Sequence, residues 1–126
     1  MSVGKEAGEF SFTSTGVTVS STPDGGVSQQ VNVEGPATGF GAVVGTLTFY
    51  AAEAGSDKGF VTWAGTGYQD SGETNGGQGR GVFEKSGTHK WRVRLVIQIT
   101  DGPLLLTDGE ISLEGRSYSG TIHQWE

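Results

Sequence analysis

Glycine interrupts every stretch of this chain that could otherwise form a helix. The chain has 23 glycines among 126 residues and only 3 prolines, and the glycines are interleaved with valine, phenylalanine, tryptophan, threonine and isoleucine. No stretch of ten or more residues repeats apolar side chains at helical spacing without a glycine inside it. Glycines mixed with β-branched and aromatic residues are typical of short strands that turn or bend sharply. The sequence therefore predicts an all-β fold.

Apolar and polar residues alternate most clearly between Trp91 and Thr100, where every second residue from Trp91 to Ile99 is apolar. This period of two indicates a strand with one buried face. Similar segments recur along the chain and give about eight strands, joined mostly by short turns. Successive hairpins favour a closed antiparallel up-and-down barrel, and glycines inside the strands supply the coiling that a small barrel needs. A β-sandwich is the alternative, because loop lengths alone do not exclude it.

Two Asp-Gly pairs predict the register of the later strands. Asp-Gly is preferred in two-residue type I′ hairpin turns, because both central residues need positive φ. A turn at Asp101–Gly102 pairs Ile99 with Leu104. A second turn at Asp108–Gly109 pairs Leu104 with Leu113. Both registers place leucine and isoleucine side chains on one face, which we expect to be the core face.

Length, charge and cysteine content limit the classes of protein. A chain of this length is expected to form one domain, residues 1–126. Without cysteine there is no disulfide framework, thiolate metal site or cysteine nucleophile. The net charge of −6, with no run of basic residues, disfavours binding to nucleic acid or to an anionic membrane. No apolar run has the length of a signal peptide or a membrane helix, so we expect a cytoplasmic protein.

One candidate for acid–base chemistry is the pair Glu84 and His89. His89 shares strand parity with Trp91, which predicts that it faces the core near one mouth of the barrel. The length of the turn between Glu84 and His89 decides which residues of the preceding strand face inward. In one register Glu84 lies opposite His89 and Arg80 also faces inward, an arrangement suited to general acid–base catalysis. In the other, Phe83 faces inward and Glu84 outward, and this register is favoured because unpaired buried charge is costly.

No metal or cofactor is predicted. The only other histidine, His123, has no metal-ligand spacing with His89, and no zinc-protease or EF-hand motif is present. The glycine-rich segments lack the lysine and the following helix of a phosphate-binding loop.

The barrel interior is the predicted binding site. An eight-stranded barrel lies between a filled core and one that holds a small ligand. Glycines within the strands remove side-chain volume from the wall, which gives either a cavity or a tighter barrel. The predicted lining is mostly aromatic, with one aliphatic side chain and one cation: Trp63, Tyr68, Arg80, Phe83, Trp91, Leu95 and Tyr118.

The alternating strands from Gly39 onward, the "GxG" pairs in Ala64–Tyr68 and Gly79–Phe83, and the closing "EGRSYSGTIHQWE" resemble small bacterial barrels of the allene oxide cyclase-like group. These proteins are calycin- or lipocalin-shaped in outline. The resemblance implies an eight-stranded barrel, often oligomeric, with an apolar central pocket. Plant members cyclise a fatty-acid epoxide in that pocket, but none of their catalytic residues carries over to this sequence.

Three functions follow from these patterns. The first is binding of an apolar or amphipathic small molecule, with His89 as a polar group at the rim. The second is an isomerase or cyclase of the same shape, in which His89, with Glu84 or Tyr118, moves protons. The third is a packed structural or assembly barrel. A hollow centre of the barrel favours the binding protein or the enzyme. A paired Glu84 and His89 favours the enzyme, and a filled centre favours the packed structural barrel. From the resemblance we also expect a homo-oligomer.

Overall fold

The computed structural model describes residues 3–125, which form eight antiparallel strands without any helix. The strands are Val3–Ser21 (β1), Val27–Ala37 (β2), Gly41–Ala51 (β3), Lys58–Tyr68 (β4), Thr74–Gly87 (β5), Lys90–Ile99 (β6), Leu104–Ser112 (β7) and Ser117–Trp125 (β8). Each strand pairs with the next one in the chain and β8 pairs with β1, so the sheet closes into an up-and-down barrel. The all-β class and the closed barrel are confirmed, and the sandwich alternative is wrong. No helix in these residues is long and apolar enough to cross a membrane.

The middle of the barrel is filled by aliphatic side chains. Five of them, from β2, β3, β4 and β6, are at most 1% exposed: Val33, Leu47, Val61, Val93 and Leu95. They alternate with outward residues along their strands, as a period of two requires. The predicted inward face of β6, from Trp91 to Ile99, is confirmed.

Inward glycines make room for large side chains that lie across the wall. A Cβ atom at Gly79 would lie 2.8 Å from Cγ1 of Ile97, its cross-strand neighbour. Gly65 faces the indole of Trp63 in the same way, with Cε2 2.9 Å from the position of such an atom. These glycines on β4 and β5 therefore allow neighbouring side chains to pack closely against the backbone of the barrel wall.

The predicted register between β6 and β7 is wrong by one residue. Ile97 pairs with Leu105, and Leu105 is the leucine that faces the core, at 5% exposure. The N–H of Ile99 donates to the carbonyl of Pro103 at 3.3 Å, so the loop holds three residues rather than two. A two-residue turn would need an N–H at position 103, and proline has none. Only Asp101 of the Asp-Gly pair adopts positive φ, at 57°.

The second Asp-Gly pair is not a turn. Asp108 and Gly109 lie inside β7, and the chain turns after Ser112 instead. A Cβ atom at Gly109 would lie 2.8 Å from the rings of Phe10 and Tyr118. Glycine at this position therefore serves close packing in the interior rather than a turn conformation.

Candidate functional site

The barrel interior holds two separate spaces at opposite ends. A narrow cavity of about 70 Å³ lies at the end that carries the β2–β3, β4–β5 and β6–β7 connections. A wide pocket of about 650 Å³ lies at the other end, and its apolar lining includes Val31, Phe49, Ala51, Phe83, Trp91 and Ile111. Pockets that hold small molecules commonly measure about 300–1,000 Å³, so only the wide pocket has that size.

An aromatic cluster restricts the narrow cavity. The rings of Phe12 and Trp63 are stacked, with centroids 5.9 Å apart and planes at 6°. Phe10 packs against Tyr118 at 4.8 Å and against Phe12 at 5.1 Å. These four side chains are at most 8% exposed, so they narrow the barrel interior from β1, β4 and β8.

The polar groups of the narrow cavity are uncharged at neutral pH. Burial raises the pKa of the Tyr118 phenol far above its usual value. The Thr107 hydroxyl is also buried and forms no hydrogen bond within residues 3–125. The side-chain amide of Gln69 donates to Oδ1 of Asn75 at 2.8 Å. The cavity thus offers weak donors and acceptors but no base for proton abstraction.

The predicted single central pocket is wrong, because its residues divide between the two spaces. Trp63, Leu95 and Tyr118 border the narrow cavity. Phe83 and Trp91 border the wide pocket. Three of the side chains that fill the middle of the barrel, Leu47, Val61 and Val93, border neither space and lie between the two groups.

The predicted orientation of Phe83 and Glu84 is confirmed. Phe83 is buried in the barrel at 6% exposure, whereas Glu84 lies on the outer face. There Oε1 of Glu84 accepts a hydrogen bond from Nη2 of Arg94 at 2.9 Å. The Glu84 carboxylate is therefore held by a surface ion pair and does not border either space.

The predicted inward position of His89 is wrong. His89 is exposed in the two-residue turn between β5 and β6 and has a φ of 53°. That prediction assumed that β6 reaches His89, but the strand begins at Lys90, and the positive φ of His89 takes its side chain out of the strand alternation. Without His89 in the interior and Glu84 beside it, no acid–base pair forms.

Two further predicted lining residues are on the outside. Arg80 is exposed on the outer face of β5, as the register with Phe83 inward requires. Tyr68 is 52% exposed at the end of β4. Neither residue borders the interior spaces.

Sequence reasoning missed several residues of the wide pocket. Phe49 lies on β3 and Val31 on β2, and nothing in the local sequence patterns shows how far along the barrel axis they lie. Arg116 borders the pocket from the β7–β8 turn, where its φ is 50°, and among residues 3–125 it is the single charged residue of the lining. A cation in a glycine-containing turn carries no sequence signal for a binding site.

Residues 3–125 contain no group of three or more histidine, cysteine, aspartate or glutamate side chains suited to a metal ion. His123 uses both ring nitrogens within the fold: Nε2 lies 2.9 Å from the Thr121 hydroxyl and Nδ1 lies 3.2 Å from the carbonyl of Gly4. Its imidazole therefore supports the contact between β8 and β1.

No protein-family model, curated protein or solved structure matches this chain. The resemblance to the allene oxide cyclase-like group consequently stays a prediction from the sequence.

Proposed function

We propose that this protein binds an apolar or amphipathic small molecule in the wide pocket. The observation that carries the proposal is a space of about 650 Å³ at one end of a barrel whose other end is narrowed by aromatic rings to a cavity of about 70 Å³. The filled middle taken alone is typical of a packed structural barrel, but the wide pocket leaves room for a ligand at one end of it. A ligand that enters this end rests on the filled middle of the barrel.

The lining of the wide pocket suits a ligand with an apolar body. Phe49 and Phe83 meet edge to face, with centroids 5.1 Å apart, and form an aromatic wall. Trp91 and Ile111 are cross-strand neighbours and continue this wall. Burial of apolar ligand surface contributes about 25 cal/mol for each Å² removed from water. Near the mouth, Arg116 and the side chains of Ser14 and Gln29 provide polar contacts for one end of the ligand.

An isomerase or cyclase in the same pocket receives no support from the geometry. Glu84 is engaged with Arg94 on the outer face, and His89 is exposed in a turn. Tyr118 borders the other cavity. The binding function needs none of these groups and therefore stands without them. We also propose a cytoplasmic location without nucleic-acid partners, based on the acidic net charge and the absence of cysteine.

A neutral fluorescent probe tests the pocket. N-phenyl-1-naphthylamine should bind in a saturable manner with one site per chain, detected by its fluorescence. Ile111→Trp adds volume inside the pocket and should weaken binding about tenfold or more, equivalent to about 1.4 kcal/mol. Val44→Trp is the matched control, because Val44 is 52% exposed on the outer face of β3, and it should bind as the wild type does.

Native mass spectrometry of the protein purified from cells provides a second test. Extra mass that is lost on denaturation would reveal a co-purified small molecule, and Ile111→Trp should reduce that mass. Absence of saturable probe binding by the wild type, or equal binding by both tryptophan variants, would overturn the proposal.

A further inference from the structure

Strand β1 extends beyond the strand that closes the barrel. It pairs with β8 only from Val3 to Thr13, whereas it pairs with β2 as far as Ser21. The last backbone contact on the β8 side is the N–H of Ser14 donating to the carbonyl of Arg116 at 2.8 Å. Within residues 3–125, Thr15–Ser21 therefore has a neighbouring strand on one side only. We call this segment the free edge.

The free edge lacks the usual protection of edge strands. Natural proteins place lysine, proline or inward charges on such edges to prevent pairing with another chain. From Phe10 to Pro23 the chain contains no charged residue, and no proline occurs before Pro23. The bulge between Ser14 and Gly16 lies where the free edge begins, and the pairing with β2 is regular beyond it.

Two valines of the free edge are exposed on the face that continues the barrel interior. Val17 pairs with Val31 of β2, which is buried in the barrel, so both point to that side of the sheet. Val19 lies two residues further on the same face. Val17 is 46% exposed and Val19 62% exposed. Apolar β-branched side chains at these exposures gain stability from a cross-strand neighbour.

We propose that two copies of this chain associate by antiparallel pairing of their free edges around a two-fold axis at Thr18. In this register Val17 of one copy lies opposite Val19 of the other, and the reverse pair forms at the same time. All four valines then share one face, as a two-fold interface requires. The segment is self-complementary in shape and polarity, which is the reason to assign a second copy rather than a different protein.

Electrostatics permit this pairing despite the acidic charge of the chain. Each copy carries a net charge of −6, but the free edge itself is neutral. Salt screens exposed charges beyond about 8 Å at physiological ionic strength. Backbone hydrogen bonds and the valine contacts are therefore not opposed by close like charges within the edge.

The pairing would place the β1 strands of the two copies side by side. One continuous sheet would then run from β4 to β1 of one copy and from β1 to β4 of the other. Val17 also borders the wide pocket, so the interface flanks the mouth of that pocket in each copy. The dimer depends only on the free edge and not on ligand binding, and the two proposals are tested by separate readouts.

The first test is the molar mass in solution, measured by light scattering after size-exclusion chromatography. The wild type should elute with twice the mass of the chain at tens of micromolar. Val19→Lys places a charge on the edge and should shift the protein to the monomer mass at the same concentration. Val44→Lys, at a valine 52% exposed on the outer face, should stay dimeric. A monomeric wild type, or a dimeric Val19→Lys protein, would overturn the proposal.

The second test uses the absence of cysteine, which makes any single introduced thiol a clean reporter. Directly opposed residues of antiparallel strands have Cα atoms about 4.5–5.5 Å apart, within reach of a disulfide. Thr18→Cys lies on the proposed axis, so mild oxidation should give a covalent dimer on a non-reducing gel. Thr13→Cys is the matched control, because Thr13 is exposed but paired on both sides, and it should stay monomeric on the gel. Crosslinking at Thr13 equal to that at Thr18, or none at Thr18, would overturn the two-fold register.

Discussion

The indole ring of Trp63 occupies the space that a side chain at Gly45 would need. A Cβ atom at residue 45 would lie 2.6 Å from Cζ2 and 2.8 Å from Cζ3 of the indole. Gly45 is the cross-strand partner of Gly65, which also lies beneath the indole, so two adjacent inward glycines accommodate one tryptophan. The indole in turn stacks on Phe12 across the barrel.

We therefore expect Gly45→Ala to destabilise the fold by about 1–3 kcal/mol, because the added methyl group overpacks the core. Urea unfolding followed by tryptophan fluorescence measures this change. Gly76→Ala is the control: a Cβ atom there meets only the Thr100 hydroxyl, at 3.6 Å, and the expected change is within about 0.5 kcal/mol. Equal effects of the two substitutions would show that the indole does not lie over residue 45.

The ion pair between Arg92 and Asp108 predicts a pH-dependent stability. Arg92 donates from Nε to Oδ1 at 2.9 Å and from Nη2 to Oδ2 at 2.6 Å. These hydrogen bonds lower the pKa of Asp108. A lowered pKa in the folded state gives stability that is present above the unfolded pKa, about 3.9, and is lost as the pH falls through the folded value.

Asp108→Asn should consequently reduce the free energy of unfolding at pH 7 by about 0.2–1 kcal/mol, since the pair is partly exposed. The difference between the variant and the wild type should shrink as the pH is lowered below about 4. Urea unfolding at several pH values measures it. A difference that stays constant with pH would contradict the assigned effect of Arg92.

Burial of Tyr118 predicts alkaline unfolding. Its phenol is 2% exposed and has a raised pKa, so the folded state favours the neutral form. The resulting stability is fully present below the unfolded pKa of about 10 and is lost as the pH rises towards the folded value. Tyrosinate absorbance and circular dichroism should therefore show one tyrosine that ionises together with unfolding. In Tyr118→Phe that coupled step should vanish; its persistence would assign the step to another tyrosine.

The Thr107 hydroxyl is buried without a hydrogen bond, and such a group costs stability. Thr107→Val keeps the shape and should leave stability unchanged or raise it by up to about 1 kcal/mol. Thr121→Val is the contrasting variant, because the Thr121 hydroxyl contacts His123 at 2.9 Å; it should lose about 0.5–1.5 kcal/mol. Thermal unfolding compares the two. A clear loss of stability in Thr107→Val would show that its hydroxyl has a partner.

Local patterns were sufficient to predict the all-β class and the inward faces of β5 and β6. The alternation from Trp91 to Ile99 and the glycines within β4 and β5 lie where the sequence places them. The inward position of Phe83 and the outward position of Glu84 followed from the cost of burying a charge alone. Each of these features depends on a residue and its near neighbours in the chain.

Local patterns gave wrong predictions at the two Asp-Gly pairs, because this dipeptide occurs both in turns and inside strands. Asp101–Gly102 lies in a turn, but Pro103 lacks the N–H for a two-residue loop, and this clue was present in the sequence. Asp108–Gly109 lies inside β7, where the rings of Phe10 and Tyr118 leave space only for glycine. No neighbour in the chain reveals that contact, because Phe10 is about one hundred residues away.

The all-β class, the preference for a barrel over a sandwich, the glycines within the strands and the aromatic side chains of the interior all follow from the sequence. The end of the barrel that each aromatic side chain occupies follows only from the folded structure. Trp63 borders the narrow cavity at one end, while Phe83 and Trp91 line the wide pocket at the other. The position of a side chain along the barrel axis depends on the stagger between neighbouring strands. Bulges such as the one after Lys85 change that stagger, and it is set by contacts between segments that are distant in the chain.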